Sequence, residues 1–99
     1  MGNTEIAQIL LEKGAEINTQ AGGYGTALIA ASLRANTNVV QILLEKGAEI
    51  NAQAGVHGTA LIAASLRGNT KIAQILLEEG AEVNAQAGKY GTALEAAHD

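Results

Sequence analysis

"NTEIAQILLEKGAEINTQAGGYGTALIAASLRA", residues 3–35, decides the fold, because the chain goes on to write it twice more. Residues 36–68 read "NTNVVQILLEKGAEINAQAGVHGTALIAASLRG" and agree with the first copy at 26 of 33 positions. Residues 69–99 read "NTKIAQILLEEGAEVNAQAGKYGTALEAAHD", two residues short of the period. No linker separates the copies. A unit this small cannot bury its own apolar face. Stacking neighbours buries a shared core, so a repeat of this length exists to be stacked.

Each unit carries two helical signals. In "NTEIAQILLEKGAE", Ile6, Ile9, Leu10 and Leu11 recur at helical spacing. Thr4 reads as the N-cap and Gly14 as the left-handed residue that closes the helix. In "GTALIAASLR", Thr26 reads as the cap of a helix whose alanines leave little bulk, so neighbouring helices can approach closely. "EINTQAGGYG" lies between them, with Asn18 and three glycines, and reads as a turn or tight hairpin. The repeated Asn18, Asn51 and Asn84 read as side chains that bond the backbone of their own turn. The short connections at Ala35-Asn36 and Gly68-Asn69 make the two helices of a pair antiparallel neighbours. The period therefore predicts an all-α solenoid with helices over 4–13, 26–34, 37–46, 59–67, 70–79 and 92–98, and glycine-rich hairpin-like fingers between the pairs. The whole of 1–99 reads as one array, in units 3–35, 36–68 and 69–99.

The chain resembles the ankyrin-repeat family. The resemblance rests on the period, on "ILLEKGAEIN", "ILLEKGAEIN" and "ILLEEGAEVN", and on "GTALIAAS" at the start of the other helix. In that register each unit starts at the second helix of a repeat. The family's usual Pro is here Ala27, Ala60 and Ala93, and its usual His is Ile29, Ile62 and Glu95. Ile29 and Ile62 have no side-chain group to make the hydrogen bonds between repeats that such a His implies. "NAQAG", Tyr-Gly and "ALIAAS" are also similar to the near-identical arrays of fungal innate-immunity-type receptors. Near-identity of copies equally fits an engineered or consensus array.

Composition narrows the function classes. Ten acidic residues against six basic ones give a net charge of −4, with no basic stripe to meet phosphates, which excludes nucleic acid as the expected partner. Two Tyr without Phe or Trp supply few stacking platforms. With no Cys there is neither a disulfide nor thiolate chemistry. "MGNTEIAQ" lacks the basic and apolar regions of a signal peptide, and no apolar run approaches the ~20 residues of a membrane span. The expectation is a soluble protein of the cytoplasm or another intracellular compartment, with no membrane partner.

No catalytic, cofactor or metal site emerges. "GGYGTAL" fails the G-x-G-x-x-G phosphate motif, because Leu28 stands where its last glycine belongs. His57 and His98, the two histidines, have no second ligand at metal-like spacing. Ser32 and Ser65 fall in the alanine-rich helix, where a small residue packs well. The expected assignment is not an enzyme.

What remains is variation. Within an otherwise copied finger, one adjacent pair changes from Gly23-Tyr24 to Val56-His57 to Lys89-Tyr90. In ankyrin arrays the finger tips belong to the usual partner-binding surface, and the resemblance carries that role onto Gly23, Tyr24, Val56, His57, Lys89 and Tyr90. The frame is constant because it packs, and the pair varies because solvent or a protein partner meets it. The alternative is a structural or designed scaffold with no specific ligand.

The two ends also differ. Glu95, His98 and Asp99 replace Ile, Ser and Leu of the earlier copies, and Thr92-x-x-Glu95 forms a capping box. Ile6, Ile9, Leu10 and Leu11 stay apolar, which predicts an uncovered face on the first helix and a weak homodimer through it.

Overall fold

The computed structural model describes residues 2–98. Asp99 therefore lies outside the described residues, as does Met1. Six helices follow one another: α1 (Gly2–Glu12), α2 (Ala27–Leu33), α3 (Thr37–Glu45), α4 (Ala60–Leu66), α5 (Thr70–Glu78) and α6 (Ala93–His98). All six predicted helices are present, with no end moved by more than two residues. The reason is capping. Thr26 and Thr59 stand just outside α2 and α4 and accept from the amides of Ile29 and Ile62 at 3.2 and 3.1 Å. Before α3 and α5 the cap is Asn36 or Asn69, which accepts from Val39 or Ile72 at 3.3 or 2.9 Å. The Thr of each Asn-Thr pair, expected as the cap at Thr4, instead lies inside its helix. Asn places its oxygen as well as Thr does, and it comes one residue earlier.

Helix ends follow the glycines. Gly47 has φ +98 and closes α3, while Ala48 N–H reaches back to Leu43 O at 2.9 Å and Gly47 N–H to Leu44 O at 3.3 Å. Gly14 and Gly80 repeat this closure. The pattern satisfies carbonyls that the helix itself leaves unpaired. Between the helices of a pair, the chain turns through a left-handed residue, which is Ala35 (φ 60) in one copy and Gly68 (φ 68) in the next.

Helices of six to eleven residues are marginal alone, so packing must hold them. They form two layers. α2, α4 and α6 stack side by side in one, and α1, α3 and α5 in the other; α2 also packs on α3, and α4 on α5. The first layer is the tighter because Ala60, Ala63, Ala64 and Ala96 are buried in it. Leu28, Ile29, Val40, Leu43, Leu61, Ile62, Ile72 and Leu76 fill the space between the layers. Ile29 and Ile62, at the family's usual His position, are 1% exposed, so apolar packing replaces any hydrogen bond there. Ser32 donates to Leu28 O at 2.8 Å, which satisfies its hydroxyl within the helix.

The stack is uneven at its ends. Leu10, Leu43 and Leu76 occupy the same place in successive units and are 53%, 3% and 0% exposed. Ile6 and Ile9 are also about half exposed. The expected uncovered face on α1 is thus present: among the described residues no helix packs on α1 as α2 packs on α3 and α4 on α5. At the other end, the capping box forms as expected. Thr92 N–H donates to Glu95 Oε1 at 3.0 Å, and Glu95 N–H donates to Thr92 Oγ1 at 3.2 Å.

Candidate partner-binding surface

Each finger closes on itself by one backbone bond. Ala21, Ala54 and Ala87 N–H donate to Gly25, Gly58 and Gly91 O at 2.9, 2.8 and 3.0 Å. Two such bonds also join finger to finger. Val56 N–H donates to Gly23 O at 2.9 Å, and Lys89 N–H donates to Val56 O at 2.7 Å. These bonds run through the first residue of each varying pair but use only its backbone. Any side chain is compatible with them, so Gly23, Val56 and Lys89 differ without cost to the row. The neighbouring glycines have no such freedom. At Gly58 (φ +77) a Cβ would run into Ala87 O of the next finger, and at Gly25 it would come within 2.7 Å of Ala54 O.

The second residues of the pairs divide. Tyr24 is 51% exposed, with Arg34 Cζ 5.9 Å from its ring centroid. His57 and Tyr90 stack on each other instead, with centroids 5.8 Å apart and ring planes 17° apart. Tyr90 also packs against the core, and His57 Nδ1 is buried with no hydrogen-bond partner. Lys89 Nζ lies 5.9 Å from the Tyr90 centroid. The six predicted residues therefore do not all point away from the stack. Tyr24, Val56 (45% exposed) and Lys89 present side chains to solvent; Gly23 presents backbone; His57 and Tyr90 form a wall between two fingers.

The repeated asparagines do something sequence reading missed. Asn18 Oδ1 accepts from Glu49 N at 2.7 Å, and its Nδ2 donates to Gly47 O at 3.3 Å. Asn51 repeats both bonds to Glu82 N and Gly80 O, at 2.7 and 3.2 Å. The bond is side chain to backbone as expected, but it staples one unit to the next rather than holding a local turn. Arg67 Nε adds a similar tie, donating to Leu33 O at 3.1 Å. The signal that pointed to this was the invariance of Asn across the copies. Its partners lie 29 and 31 residues on, where no local pattern reaches.

Among the described residues no group of three His, Cys, Asp or Glu is placed to hold a metal ion, and no helix is long and apolar enough to cross a membrane. What the surface offers is a row of fingers held in register by backbone bonds, with aromatic, aliphatic and basic side chains at successive tips. No curated protein matches the chain. The family model for ankyrin repeats, in three copies, matches residues 1–87. Together with the two-layer stack and the fingers, that match places the chain in the ankyrin-repeat family, whose arrays are generally protein-interaction modules.

Proposed function

We propose that this chain is a non-catalytic protein-interaction module whose contact surface is the finger row Gly23, Tyr24, Val56, His57, Lys89 and Tyr90. The observation that carries the reading is the combination of a fixed backbone ladder with exposed, varied side chains at its first positions. A ladder of this kind keeps the tips ordered before any partner arrives, which lowers the entropy lost on binding. Tyr24 supplies a large amphipathic ring at low conformational cost, the kind of residue that anchors interfaces. Lys89 adds a positive charge to a chain of net charge −4, which biases the third tip toward an acidic patch on its partner.

A second reading, a structural array with no specific ligand, is favoured by the stacking of His57 on Tyr90, because rings that serve the scaffold need no partner. The two separate cleanly. Proteins retained by the immobilised chain are identified, purified and titrated against three forms: the parent, Tyr24→Ala/Val56→Ser/Lys89→Ser, and a control altered on the far layer at Glu45 and Glu78. Affinity falls with the finger variant alone if the row binds. Equal affinity for all three forms rejects the row as the contact surface and leaves the scaffold reading.

A further inference from the structure

The two ends of the stack carry complementary halves of one joint. α1 exposes Ile6 and Leu10 at places whose counterparts, Val39 and Leu43 in α3 and Ile72 and Leu76 in α5, are buried or half-buried in helices that pack on α2 or α4. α6 is a helix of that covering kind. Its Leu94 is 80% exposed, whereas Leu28 and Leu61, at the same place in α2 and α4, are 1% and 4% exposed. Thus α1 lacks an α2-type helix within residues 2–98, and α6 lacks an α3-type helix. The chain shows twice, at α2 with α3 and at α4 with α5, how such helices fit.

Two polar features agree in register. Asn18 and Asn51 each bond the Gly carbonyl and the Glu amide of the next unit. Asn84, the third in the series, has neither bond, and Gly14 O and Glu16 N–H at the opposite end have no such donor or acceptor. The finger ladder likewise stops at Lys89 O on one side and Gly23 N–H on the other. A second copy seated on α6 brings its α1 onto Leu94, its Gly14 and Glu16 to Asn84, and its Gly23 to Lys89. The apolar faces, the asparagine staple and the ladder all demand the same placement.

We propose that copies of this chain associate head to tail, α6 of one against α1 of the next, repeating the joint that already links the units within the chain. The interface is heterologous and does not close on itself, so association continues with concentration rather than stopping at a dimer. Glu95 makes the joint weaker than those inside the chain. It stands where Ile29 and Ile62 are buried, and the incoming copy's α2 must lie over it.

Sedimentation of the full chain across a wide concentration series tests this. The parent should grow past dimer as concentration rises. Leu10→Glu keeps a sound α6 end, and Leu94→Glu keeps a sound α1 end, so each should remain monomeric alone. An equimolar mixture of the two should form a 1:1 dimer that grows no further. Asn84→Ala, at an exposed site with no side-chain bond among the described residues, should weaken association with unchanged circular dichroism. Glu95→Ile should strengthen it. The proposal is overturned if the parent stays monomeric at the highest concentration, if the mixture does not pair, or if Leu94→Glu still dimerises. That last outcome would mean that two N-terminal faces meet instead.

Discussion

The same residue in successive copies acts as its own control. Ala35 and Gly68 occupy one left-handed position in the turn between paired helices, at φ 60 and φ 68. A Cβ in that region costs about 1–2 kcal/mol, partly offset because glycine loses more freedom on folding. Ala35→Gly should therefore stabilise the chain by about 0.5–1 kcal/mol, and Gly68→Ala should destabilise it by a similar amount. Paired urea titrations check the signs. Gly58 has a second constraint, since its Cβ would meet the backbone of the next finger. Gly58→Ala should cost about 2 kcal/mol or more, because the strain of the φ adds to a forced parting of two fingers. In hydrogen exchange, the amide of Lys89, which bridges the two parted fingers, should lose protection first.

At the scale of the element, the staples between units matter more than the helices' own propensities. Asn51 makes two bonds to the following unit, and the Asn84 side chain makes none among the described residues. Losing two exposed hydrogen bonds costs about 1–2 kcal/mol, so Asn51→Ala should lower the melting temperature and Asn84→Ala should leave it unchanged in dilute solution. Thermal melts of the two variants at one low concentration make the comparison. The contrast also marks where sequence reading stops. All six helices and the closing glycines were legible, because periodicity and capping are local. The capping box Thr92-x-x-Glu95 was legible for the same reason. Which residue of an Asn-Thr pair caps the helix was not legible, because both side chains offer an oxygen at the helix start. The partners of Asn18 and the stacking of His57 on Tyr90 were not legible at all. Both depend on how far one unit is displaced from the next, which only the packed layers set.

Across the whole molecule, what a side chain is worth depends on where its unit sits in the stack. The candidate surface follows the same rule. The pair that varies was visible in the sequence, but which of its members face solvent was not, because Tyr90 stacks on the ring of the finger before it and Tyr24 has no such ring beside it among the described residues. The most direct test uses a leucine that all three copies share. Leu10, Leu43 and Leu76 have identical local sequence roles and are 53%, 3% and 0% exposed. Truncating a buried leucine costs about 2–5 kcal/mol, a large part of a total stability of about 5–15 kcal/mol. A leucine already half in water has about 1 kcal/mol to lose. Urea midpoints should be measured for Leu10→Ala, Leu43→Ala and Leu76→Ala in dilute solution, where copies stay apart. Large, similar drops are expected for Leu43→Ala and Leu76→Ala and a small one for Leu10→Ala; equal drops for all three would show that place in the stack does not set what the leucine is worth.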